Sequence, residues 1–121
     1  MDAISNMGDA YFSGKWGVSQ NRARGIRYWE LAAMKGDAES RHNIGAIEES
    51  SGNHHRALRH YLISAKLGEK SSLDAIKAMF HDGLATKAQY VEALKGYQDA
   101  AQEMKSPQRD EAARRGAELG F

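Results

Sequence analysis

Five histidines, His42, His54, His55, His60 and His81, carry most of the chain's capacity for metal binding and proton transfer. A metal site asks for two of them on one helix face, four residues apart, with a third ligand from elsewhere. His55 and His60 are five apart and face different ways, while His54 and His55 follow Asn53, where a helix start leaves them solvated. No metal is expected. Glu48 and Glu49 come nearest to a paired acid and base, but adjacent residues on a helix diverge. Cysteine is absent, which removes thiolate nucleophiles and sulfur ligands together. Neither a Gly-x-Ser-x-Gly elbow nor a Gly-x-x-x-x-Gly-Lys phosphate loop occurs, so neither a catalytic frame nor a cofactor is expected.

Binding chemistry is better represented. Arg22, Arg24 and Arg27, and later Arg56 and Arg59, form basic clusters, but aromatic residues that would stack on bases are not interleaved with them. Tyr28, Tyr61 and Tyr97 read as packing positions, and 17 basic against 16 acidic residues leave a charge of only +1. No nucleic-acid partner is expected. A second set of polar residues recurs along three related segments: Asn6, Asp9 and Ser13; His42, Asn43, Glu49 and Ser50; Asp74, His81 and Asp82. Phe12 stands at the position of Glu49 and His81, and an exposed aromatic there would favour a binding groove. Asn6, Asp9, Phe12, His42, Asn43, Glu49, Asp74 and His81 are the candidate partner-binding residues. Plain solvation explains a polar helix face equally well.

The elements that must position these residues form a repeat. Gly25 to Gly36 overlays Ala57 to Gly68 at an offset of 32, with small, aliphatic, aromatic, Ala and Gly residues coinciding. Ala93 to Ala101 is a third copy, 36 further on, with Met104 in place of the closing glycine. Within a copy, residues such as Ala57, Leu58, Tyr61 and Ala65 line one helix face. Asn21 and Asn53 stand where they can cap the helix start, and the third copy, with Gln89 there, is expected to start earlier, at Thr86. A preceding helix recurs too: Met7, Ile44 and Ile76 align, as do Ala10, Ile47 and Met79, with Met7, Ala10 and Tyr11 directed to the core. Gly8 and Gly45 occupy one position in it and predict close helix contacts that offset a cost of about 1 kcal/mol relative to Ala. Trp16, in the first loop, is expected to fold back over its pair.

The pattern predicts helices near 2–13, 21–35, 38–51, 53–67, 70–82, 86–104 and 107–119, with Ser106-Pro107 starting the last. The whole of residues 1–121 reads as one all-α domain, an α-α superhelix (solenoid) of about three antiparallel helix pairs at 2–36, 38–68 and 70–104. A C-terminal capping helix at 107–119 would turn Arg109, Asp110, Arg114, Arg115 and Glu118 outward.

Met7-Gly8, Tyr11, Gly14, Gly17-Val18, Tyr28-Trp29, Ala32-Ala33 and Gly36, then Ala38, Ile44-Gly45, Ala57, Tyr61, Ala65 and Gly68, together resemble the Sel1-like repeat family, relatives of the tetratricopeptide repeats. The resemblance covers residues 3–104 and fades in the third copy, where Lys77 replaces the helix glycine; Gly25 stands where Ala is usual and Glu48 replaces an aromatic. It implies a right-handed superhelical array acting as an adaptor in protein complexes. The expected function is therefore a non-catalytic scaffold that holds a partner peptide or helix on its concave face. The alternative is a structural repeat segment, from a longer protein or an idealised sequence, with no ligand of its own. No apolar run is long enough for a membrane partner. The absence of cysteine and of a visible signal peptide points to a reducing compartment, the cytoplasm.

Overall fold

A computed structural model describes the backbone of residues 3–118 and the side chains of residues 3–104. Among the described residues there are six helices and no strand: α1 (Ala3–Ser13), α2 (Arg22–Met34), α3 (Ala38–Ser50), α4 (His54–Lys66), α5 (Lys70–His81) and α6 (Lys87–Glu118). Each helix packs on the next in sequence, and α6 packs on α4 as well. The result is three helix pairs, α1/α2, α3/α4 and α5/α6, stacked as the repeat predicts.

Local chemistry sets the helix boundaries. Asn21 caps α2, its side-chain oxygen accepting from the Arg24 N–H at 3.1 Å. Asp37 caps α3 in the same way, accepting from the N–H of Ser40 at 3.1 Å and from its hydroxyl at 2.5 Å. Asn53 differs from its counterpart: it makes no cap bond and donates instead to the Glu48 carboxylate at 2.9 Å. Thr86 and Gln89 form a reciprocal capping box at the start of α6, with bonds of 2.8 and 3.1 Å. Gly36 and Gly68 close α2 and α4 with φ of 94° and 98°. Each also completes the paired terminal bonds of a left-handed stop, Asp37 N–H to Ala32 O and Gly36 N–H to Ala33 O in the first case.

Small residues set the spacing between helices. A Cβ on Gly25 would lie 2.7 Å from the Phe12 backbone nitrogen and 2.8 Å from the Gly8 carbonyl oxygen, so α1 and α2 touch backbone to backbone. A Cβ on Gly8 would overlap the Trp29 indole, and one on Gly45 would sit 2.8 Å from the Tyr61 ring. Trp29 and Tyr61 hold equivalent places in the two repeats. Trp29 anchors one cluster with Ala33, Ile44, Phe12 and Ile26. Tyr61 anchors the larger one with Leu58, Leu73, Ile76 and Met79.

Besides the Asn53 cap, four sequence expectations differ from the structure. The break at Ser106-Pro107 is absent: the predicted helices 86–104 and 107–119 are one helix, α6. Glu, Gln and Ala on both sides of Pro107 favour helix strongly enough to continue past a residue that costs about 3 kcal/mol in a helix interior. Residue 119 and the outward side chains expected of a cap lie outside the described residues. Trp16 does not fold back; it is 71% exposed, with a left-handed φ of 57° in the turn between Gly14 and Gly17. Met7 is exposed rather than in the core, because the α1 face that meets α2 is set by Gly8 and Phe12, one residue round from it. Phe12 is not an exposed aromatic; it is half-buried against Trp29 at 4.7 Å between ring centroids.

Candidate functional site

The first-helix stripe is largely occupied by contacts within the array. Asp9 accepts the Trp29 indole N–H at 2.9 Å, and Glu49 accepts the Tyr61 hydroxyl at 2.8 Å. In both repeats a carboxylate on the first helix therefore holds the polar tip of the second-helix aromatic that fills the first helix's own glycine notch. Burial and that hydrogen bond push the Tyr61 hydroxyl far above its ordinary titration range. His42 packs against Tyr61 with its ring tilted, 5.2 Å between centroids, and shares a 2.8 Å hydrogen bond with the buried Ser72 hydroxyl, which ties α3 to α5. Burial lowers the His42 pKa from its usual range. Phe12 carries the Arg22 guanidinium over its face at 5.3 Å. Of the remaining candidates, Asn6 and Asn43 are half-buried, Asp74 is exposed beside Lys70 at 3.5 Å, and His81 is exposed with its ring against Phe80. The structure thus distributes the eight residues between helix packing and open surface rather than gathering them into one site.

The second helices carry a more ordered arrangement. One hollow of about 450 Å³ is lined by Asn21, Arg24, Arg27, Tyr28 and Leu31 of α2. Another of about 340 Å³ is lined by Arg56, Arg59, His60 and Ile63 of α4, with Arg41 of α3. Arg24, Arg27, Tyr28 and Leu31 are, at the offset of 32, the equivalents of Arg56, Arg59, His60 and Ile63. Helical spacing explains the grouping, since residues three, four and seven apart share a face. Each hollow combines two guanidinium groups of its second helix, joined in the second hollow by Arg41, with a half-exposed aliphatic side chain, Leu31 at 45% and Ile63 at 44%. A third hollow adjoins the second through Arg41 and His60, and reaches α2 at Glu30 and Met34, the latter 82% exposed.

Arg41 lies between these hollows with its bonding incomplete. Its terminal nitrogens reach the Ala33 carbonyl and His60 Nδ1 only at 3.5 Å each, and its buried Nε–H has no acceptor among the described residues. Burial and the adjacent Arg41 charge lower the His60 pKa. In α6 the pattern ends. Glu92, Lys95, Gly96 and Asp99 hold the equivalent positions, Glu92 pairs with Lys66 at 2.5 Å, and Gly96 lets α6 close onto α4. Among the described residues no three His, Asp or Glu side chains are grouped to hold a metal ion, and no helix is long and apolar enough to cross a membrane.

A family model described as Sel1 repeat matches residues 2–37 and 42–69, together more than half of the 121 residues. The chain belongs to the Sel1 repeat family. No curated protein and no solved structure matches it. The two matched segments cover the pair α1/α2 and, from residue 42 on, the pair α3/α4; they carry the glycine notches and every hollow-lining arginine except Arg41. Sel1 repeats generally serve as protein-interaction scaffolds and are typically non-catalytic. In the sequence the arginines of this Sel1 array stand out only as basic clusters, which read against a nucleic-acid surface and point to no other partner. The overlooked signal was the aliphatic residue four beyond the second arginine, Leu31 and Ile63, repeated with it.

Proposed function

We propose that this Sel1 repeat array is a non-catalytic adaptor that binds a segment of a partner protein, in peptide or helical form. The supporting observation is the pair of hollows built from equivalent residues of consecutive repeats, each leaving a large aliphatic side chain open to solvent. Isolated exposed apolar residues need no explanation, but the same one recurring with the same charged neighbours makes a ladder for an extended ligand. The first-helix side offers fewer unengaged groups, because Asp9, Phe12, His42 and Glu49 already serve the packing. Selection of a displayed random-peptide library on the immobilised chain tests the proposal. An adaptor enriches a family of related peptides that compete with one another and saturate at one per chain. Failure to enrich any sequence would point to a purely structural repeat.

A further inference from the structure

Resting on that adaptor reading, we infer that the α2/α4 side of the array is a docking surface for an acidic, leucine-bearing protein segment in extended form. Charge complementarity selects this occupant. Arg24, Arg27, Arg56 and Arg59 are exposed on the two second helices, and Arg41 lies between them at the floor. Arg41 holds its two protein acceptors only at the outer limit of hydrogen bonding, so its fork is available to a carboxylate, which it matches geometrically. Leu31 and Ile63 give each hollow an apolar wall that an aliphatic side chain would cover.

The same features disfavour a nucleic acid. A phosphate backbone has nothing to place on Leu31 and Ile63. Glu30 and Glu48 line the hollow between α2 and α4 and would repel a continuous run of phosphates. Tyr28, the aromatic in the first hollow, is already stacked on Tyr11 at 5.7 Å. An acidic peptide can instead put neutral residues opposite Glu30 and Glu48 and carboxylates opposite the arginines. With α3 between them, α2 and α4 are at most roughly 16–20 Å apart, two packed interaxial distances. Extended chain covers that in about six residues. The occupant is therefore short, with leucine-type residues about six apart, each flanked by Asp or Glu.

The probe is a fluorescein-labelled peptide of about 14 residues with two leucines six apart, each flanked by Asp or Glu, and serine midway between them to face Glu30 and Glu48; it is titrated with the full chain and followed by anisotropy. Saturable one-to-one binding is expected, weakening as salt rises. Arg27→Gln with Arg59→Gln should reduce affinity about tenfold or more, and Leu31→Ser with Ile63→Ser should do likewise. All four residues are exposed or half-exposed, so an unchanged circular dichroism spectrum verifies the fold of each variant. An oligothymidylate of equal length should bind less tightly than the peptide. Oligothymidylate binding as tight as the peptide's overturns the inference, and so does peptide binding that ignores all four substitutions. If the acidic peptide fails while library-selected peptides of other chemistry bind, the docking surface is wrong and the adaptor reading stands; if neither binds, both fall.

Discussion

Replacing Gly25 by Ala should destabilise the protein, although Ala is the better helix former by about 1 kcal/mol. The new Cβ would lie 2.7 Å from the Phe12 backbone nitrogen and 2.8 Å from the Gly8 carbonyl oxygen. Ordinary contacts need roughly 3.5 Å or more, so α1 and α2 must separate by about 0.7 Å. Neither obstacle is a side chain that can rotate away, and overpacking of this kind costs about 1–3 kcal/mol. The expected net loss is about 1 kcal/mol. Gly96→Ala is the control. Its Cβ meets Lys66 Cγ at 2.5 Å, but Lys66 is exposed and can turn aside, giving up an exposed pair with Glu92 worth about 0–1 kcal/mol. That variant should be neutral or slightly stabilised. Urea unfolding at pH 7.5 should separate the two by about 1–2 kcal/mol, or about 1 M in midpoint at a typical slope. A Gly25→Ala protein as stable as Gly96→Ala would refute the close approach of α1 and α2.

Three further outcomes follow from the same contacts. Tyr61→Phe strands the half-buried Glu49 carboxylate and should cost about 1–2 kcal/mol in urea unfolding, whereas Tyr61→Phe with Glu49→Gln should recover part of it. Burial lowers the pKa values of His42 and His60 from 6.5, so the unfolded chain takes up protons first. Stability should therefore be full above pH 6.5 and fall as the pH drops towards the lowered folded values, and His42→Asn should flatten that fall in a urea-midpoint series. Because α6 passes through Pro107, Pro107→Ala should restore a helix bond and raise helicity by circular dichroism; a Pro107 that begins a separate helix would give no gain.

The fold was legible because its determinants are local and repeated. Gly36 and Gly68, Asn21 and the Thr86–Gln89 box stop and start helices through neighbouring residues, and the 32-residue offset shows which helices are equivalent. What was not legible depends on contacts between helices. Asp9 and Glu49 look like free polar groups in the sequence, and only the crossing of α1 with α2 and of α3 with α4 brings them to Trp29 and Tyr61. Phe12 was misplaced for the same reason, since Gly25 draws the α1 backbone close enough for its ring to reach Trp29. The hollows needed both levels: the spacing of Arg24, Arg27 and Leu31 is in the sequence, but the position of Arg41 beneath His60 comes from packing.

The most direct test of the account is amide chemical-shift mapping of the labelled chain during titration with the acidic, leucine-bearing peptide. Docking on α2 and α4 should concentrate the shifts in Arg24–Leu31 and Arg56–Ile63, with Arg41 between them, saturating at one peptide per chain. Shifts confined to first-helix positions such as Asn6, Asn43 and Asp74, or no shifts at excess peptide, would contradict it.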